Sequence, residues 1–196
     1  MENLASFTLA GIALTGSPGP NTLGLAAASA AYGLRGSLML LGGAIVGVYA
    51  VILATATGLT GLVLAQPGVA PVVSVAAALY MLYLAYRIAT APPAVKTADG
   101  GAPGFGFGVF LGLGNPKAYA AMAALYSGFA LVPGDPVADA IAKAAVLLPM
   151  IVAVDVVWLL VGSALTRVSQ RPGVHRAINV AFAVLLVASV ALTFAL

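Results

Sequence analysis

The chain has no cysteine, one histidine, and only five acidic and eight basic residues among its 196. Without cysteine there are no disulfides, thiolate metal sites, iron–sulfur clusters or thiol–disulfide chemistry. One histidine and five acids are thin material for a metal cage, so neither a metal nor a cofactor is expected. No G-x-x-x-x-G-K-[ST] run occurs, which removes a phosphate loop for nucleotide hydrolysis. Charged residues make up 7% of the chain, against roughly 25% in an average soluble domain. That is too little charge to solvate a globular surface. A cytosolic enzyme, a nucleic-acid binder and a disordered segment are all excluded. The net charge of +3 does not restore the nucleic-acid reading, because the basic residues are scattered singly between apolar runs.

What the chain does have is apolar sequence. It is 62% hydrophobic, with a mean hydropathy of +1.12, and reads as an all-α integral membrane protein whose constant partner is the lipid bilayer. A spanning helix needs about 20 apolar residues to cross a core about 30 Å thick. Six stretches qualify, at 4–31, 36–64, 69–90, 104–131, 140–165 and 174–196. None alternates as barrel strands do. The first lacks a basic leader, since Glu2 is the only charge before Arg35, and is expected to be a retained helix rather than a signal peptide.

The connections set an orientation. Arg35, Arg87, Lys96, Arg167, Arg171 and Arg176 fall on one side, six of the eight basic residues. The other side carries Glu2, Asp135 and Asp139, with Lys143 nearby. By the positive-inside rule both termini are expected outside the cytoplasm.

Proline and glycine interrupt two of the spans near their middles. Ser17-Pro18-Gly19-Pro20-Asn21 breaks the first, and Gly114-Asn115-Pro116-Lys117 breaks the fourth. A polar loop, Thr97 to Pro103, divides the single domain 1–196 into two three-helix halves, 1–96 and 103–196. Three is odd, so a second half of the same fold sits upside down relative to the first. Paired interruptions in inverted repeats point to a transporter site at the midplane. Ser17-Pro18 and Asn115-Pro116 each read as a cap followed by a first helical residue. Each break would then open a helix N-terminus, with its partial positive charge, inside the membrane. The alternative is a pair of ordinary proline kinks in continuous helices.

Two charges fall at depth, Lys117 in the fourth span and Asp155 in the fifth. Each costs about 2.5–3.5 kcal/mol at the bilayer centre on insertion scales, so they are expected to face the interior and each other. An ammonium opposite a carboxylate matches a zwitterion, and Asp155 is a candidate for a coupling proton. Trp158, one turn beyond Asp155, either walls the site or packs. Pro149 is expected to kink the fifth span, and Asn179 is a weaker site candidate. Blander readings suit the rest. Tyr80, Tyr83 and Tyr86 read as an interfacial aromatic belt. Gly43, Gly47, Gly104, Gly108 and Gly112 read as close-packing helix faces that also permit a homodimer. His175 reads as a solvated loop residue.

Taken together, Pro18-Gly19-Pro20, Gly114-Asn115-Pro116-Lys117-Ala118 and Asp155-x-x-Trp158, in about 200 residues and six spans, resemble the LysE/RhtB superfamily of bacterial amino acid exporters. The resemblance covers essentially the whole chain. It implies proton-coupled secondary efflux of an amino acid or related metabolite across the bacterial inner membrane, with no enzymatic activity. It also implies that Pro18, Gly19, Pro20, Asn115, Pro116, Lys117 and Asp155 line or shape the path. Ser17, Asn21 and Trp158 complete the candidate substrate-binding set, with Lys117 and Asp155 as the coupling pair. No acid stands in the second or third span to meet a cationic side chain, which favours a small neutral cargo. A passive channel for small polar solutes and a metal-ion carrier are the alternatives.

Overall fold

A computed structural model describes residues 2–58, 69–90, 102–167 and 172–195, and among them every regular element is a helix. In chain order these are α1 (Glu2–Gly16), α2 (Pro20–Gly36), α3 (Leu38–Ala56), α4 (Val69–Ala89), α5 (Phe105–Leu113), α6 (Pro116–Gly128), α7 (Pro136–Arg167) and α8 (Pro172–Ala195). The first and fourth predicted spans are thus each two separate helices. Among the described residues, three helices contain stretches long and apolar enough to cross a membrane: Leu38–Ala56, Pro136–Leu165 and Gly173–Leu192. The end of the second span and its connection to the third (59–68), most of the polar loop from Thr97 onward, Lys96 and Arg171 lie outside the described residues.

Local chemistry explains where the elements begin. The fifth span starts at Pro136 rather than at 140, because Asp135 caps it. Its Oδ1 accepts from the Val137 and Ala138 N–H groups at 3.1 and 3.0 Å, and Pro136 occupies the first helical turn, where a missing N–H is harmless. α7 then runs 32 residues through Pro149, about 48 Å at 1.5 Å per residue. α2 carries a non-helical residue near its end, Gly33, at φ 75°, a conformation that glycine tolerates and other residues resist.

Small residues set the tightest packing. A Cβ on Gly43 would fall 2.0 Å from the Phe105 carbonyl oxygen, and one on Gly108 2.0 Å from that of Leu40. One turn on, Gly47 meets Val109 and Gly112 meets Ala44 in the same way. The register, 43 with 108 and 47 with 112, makes α3 and α5 run in the same direction with backbones touching. Gly104 does not share this role, since a Cβ there meets nothing within 4 Å. On α7, a Cβ at Gly162 would lie 1.9 Å from the Ala26 carbonyl oxygen of α2. α2 is buried at every position from Pro20 to Ala31 and packs against α7, α8, α3 and α4.

Two apolar clusters lie on either side of the breaks. One holds Leu25, Leu40, Leu84, Leu111 and Leu159; the other holds Phe7, Val51, Ile52, Leu125 and Leu147. Within α3 the first cluster takes Leu40 and Ala44 and the second takes Val48 and Val51. In α7 the second takes Leu147 and Ile151 and the first takes Leu159, leaving Asp155 between them.

The end beyond the second cluster is tied together by polar contacts. Asn3 Nδ2 donates to the Ala130 carbonyl at 3.2 Å, and Phe7 stacks edge-on against Phe129. Lys143 pairs with Asp139 at 2.5 Å and is 2% exposed. Lys143 is therefore buried although it lies near one end of the molecule. The ammonium of Lys143 is affordable there because it also donates to the Tyr126 carbonyl at 2.9 Å, while Asp139 Oδ1 accepts from the Leu131 and Val132 N–H groups. At the opposite, arginine-bearing end, Tyr32 donates to the Arg87 carbonyl at 3.1 Å. Tyr80 donates to the Phe107 carbonyl and packs on the Phe107 ring, so it joins α4 to α5 rather than facing an interface. Tyr83 and Tyr86 are exposed, as a belt requires. His175 is not in a loop: it lies in the first turns of α8 and is buried.

Candidate functional site

The site grows from what proline does to the carbonyls behind it. A proline cannot donate to the carbonyl four residues earlier, so Pro18 and Pro20 strand those of Leu14 and Gly16. Ser17 Oγ donates to the Leu14 oxygen at 3.1 Å, and Trp158 Nε1 donates to that of Gly16 at 3.1 Å. Lys117 Nζ covers the next two, donating to the Ser17 oxygen at 2.5 Å and the Pro18 oxygen at 3.4 Å. Its charge sits at the C-terminal end of α1, where the helix dipole is negative.

α2 resumes at Pro20 behind an extended Gly19 cap, correcting the expected start at Ser17-Pro18. The Gly19 N–H donates to Thr22 Oγ1 at 3.0 Å. A Cβ on Gly19 would lie 2.8 Å from Cδ of Lys117, so glycine here makes room for the lysine stem. At the second break Asn115 is the cap residue and Pro116 the first residue, as the spacing predicts, but the asparagine side chain makes no capping bond. The carbonyl stranded by Pro116, that of Gly112, accepts from the Asn115 backbone N–H at 3.3 Å.

Asp155 is 2% exposed. Its Oδ1 accepts from Asn21 Nδ2 at 2.9 Å, and its Oδ2 has no partner. Lys117 and Asp155 thus do not form the expected ion pair. The break supplies carbonyls that take the ammonium, and Asn21 takes the carboxylate. Both charged groups nonetheless line one cavity, of about 420 Å³ including its open mouth. Of the predicted residues Gly19, Asn21, Asn115, Lys117 and Asp155 line it. Ser17, Pro18, Pro20, Pro116 and Trp158 do not line it, and Ser17 and Trp158 serve as caps for the first break. Asn179 stands elsewhere, on α8.

The sequence reading missed Thr15, Thr22 and an apolar wall that includes Val48, Ala118, Ala121 and Met122. The wall was detectable in part. Ala118, Ala121 and Met122 stand at helical spacing just after the second break and so share a face.

Three cavity oxygens are buried and unpartnered: Asn21 Oδ1, Asn115 Oδ1 and Asp155 Oδ2. Each unmet acceptor costs about 1–3 kcal/mol. The arrangement suits a group with several N–H donors, while Lys117 and the starts of α2 and α6 favour negative charge.

A family model described as LysE type translocator matches residues 12–196. The chain belongs to the LysE type translocator family. Among curated relatives, the cysteine/O-acetylserine efflux protein of Salmonella choleraesuis (strain SC-B67) is 31% identical over 171 residues, covering 87% of this chain and 86% of the relative. The protein of that name from Salmonella typhimurium (strain LT2) matches equally, and that of Salmonella paratyphi A is 30% identical over the same shares. No solved structure matches. This LysE translocator is therefore a membrane transporter of an amino acid efflux family and not an enzyme.

Proposed function

We propose that this translocator exports a small amino acid with an uncharged side chain across the inner membrane by proton-coupled alternating access. The observation that carries the reading is the set of three unpartnered oxygens around one cavity, those of Asn21, Asn115 and Asp155. An α-ammonium brings three N–H donors, one for each. The carboxylate end then faces the Lys117 ammonium and the nearby helix starts. The side chain meets Val48, Ala118, Ala121 and Met122, where no charge awaits it. Cysteine and O-acetylserine, the cargoes in the relatives' names, both fit this description.

Asp155 is the proposed carrier of the coupling proton, since it is buried in the cavity with a free oxygen. The inverted-repeat reading draws support from packing that recurs when the two halves are exchanged: α3 packs on α5 as α7 packs on α1, and α2 on α7 as α6 on α3. The sequence assigns six of the eight basic residues to one set of connections, which supports termini outside the cytoplasm.

The test is counterflow of labelled O-acetylserine in proteoliposomes, with and without a pH gradient. Gradient-stimulated, saturable flux that Lys117→Ala and Asp155→Asn both abolish is the expected result. Undiminished flux in both variants removes the site, and flux indifferent to the gradient removes the proton.

A further inference from the structure

Three buried unpartnered atoms lie away from the cavity: Ser29 Oγ, His175 Nδ1 and Asn179 Oδ1. Their residues are 0%, 7% and 1% exposed. All stand on α2 or α8, two helices that pack together. His175 and Asn179 are four apart and share a face of α8. Ser29 falls in the α2 stretch, Ala26 to Ala30, that joins Phe182 and Ala183 of α8 in one cluster. Along α2, Ser29 lies between the cavity residue Asn21 and the arginine-bearing end at Arg35. His175 stands at that same end, beside Arg176.

The opposite end shows no such deficit among the described residues. Lys143, Asp139, Tyr126 and Tyr49 all make hydrogen bonds or an ion pair there. Buried polar atoms in native structures nearly always find a partner, protein or water. Three without a protein partner, on two helices that pack together and on one side of the cavity, mark a place that water can enter. Water entering the seam would satisfy all three atoms and lower the cost of opening it. The opposite end, where the described buried polar side chains have partners, gains nothing comparable.

We propose that the α2–α8 seam is the branch of the transport path joining the cavity to the arginine-bearing side, with Ser29, Asn179 and His175 as its hydrogen-bonding steps for water and for the cargo's polar groups. This rests on the chain being a transporter and not on which amino acid it carries.

The absence of native cysteine makes the test direct. Single cysteines replace Ser29, Asn179, Val51 in the opposite cluster, and Arg35, which is exposed and marks the side. Each variant is confirmed as a monodisperse, folded protein, then exposed in oriented vesicles to a membrane-impermeant methanethiosulfonate. From the side that labels Arg35→Cys, Ser29→Cys and Asn179→Cys are expected to react about tenfold faster than Val51→Cys, and their modification is expected to block O-acetylserine counterflow. Reaction no faster than at Val51→Cys, or modification that leaves counterflow intact, overturns the proposal. Asn179→Leu gives a second reading: a higher melting temperature with slower flux is expected, and a lower one with normal flux counts against the route. If labelling succeeds where O-acetylserine flux is missing, the route stands and the cargo reading falls.

Discussion

At the first break two prolines strand two carbonyls, and side chains cover them: Ser17 from within, Trp158 from α7. At the second, one proline strands the Gly112 carbonyl, and the neighbouring Asn115 backbone N–H covers it. Lys117, which belongs to the second break, spends its ammonium on the first. The first break is thus finished by the other half of the chain, while the second finishes itself and leaves its asparagine oxygen free. The stability of the first break depends on tertiary structure, and part of the polarity of the second is left over for a ligand.

The largest expected effect is at Lys117, which serves both breaks. Lys117→Ala strands the part-buried Ser17 carbonyl at about 1–3 kcal/mol and unpairs the exposed one of Pro18, so a lower melting temperature in detergent should accompany the loss of flux. A normal melting temperature would show that the lysine does not hold the first break together. Next comes Trp158→Phe, which keeps most of the apolar volume but unpairs the Gly16 oxygen. A loss of about 1–3 kcal/mol is expected, with flux impaired less than by Lys117→Ala; equal stability with abolished flux would instead place the indole on the cargo.

Ser17→Ala should cost about 1 kcal/mol, read as a small downward shift in thermal unfolding and little change in counterflow. The smallest effect carries the opposite sign. Asn115→Ala deletes an unmet buried acceptor, so a gain of up to about 1 kcal/mol is expected together with weaker apparent affinity for cargo. Should Asn115→Ala destabilise as much as Trp158→Phe, the contrast between the two breaks disappears.

The places where helices break were legible because Pro18, Gly19, Pro20 and Pro116 act on the backbone through their own covalent structure. That Lys117 and Asp155 face the interior was legible from the apolar runs around them. Their partners were not. A carbonyl oxygen has no letter in a sequence, so Lys117 was matched to the nearest opposite charge rather than to Ser17 and Pro18. The two carbonyls stranded at the first break could have been found by counting four residues back from each proline. The burial of Lys143 was hidden by the habit of assigning charge to loops, although its spacing from Asp139 is that of a helical ion pair. His175 was misplaced for a similar reason. Arg171 and Arg176 flank the start of α8 and drew the whole segment towards solvent.

The backbone contact of Gly43 and Gly47 with Gly108 and Gly112 bears on how such a molecule can move. α3 comes from the first half of the chain and α5 from the second, yet with no side chain between them they can hardly slide or tilt independently. Ala26 and Gly162 tie α2 to α7 across the same divide. Under the proposed alternating access, whatever swings to expose the cavity by turns would be a mixed body, welded from pieces of both halves of the chain.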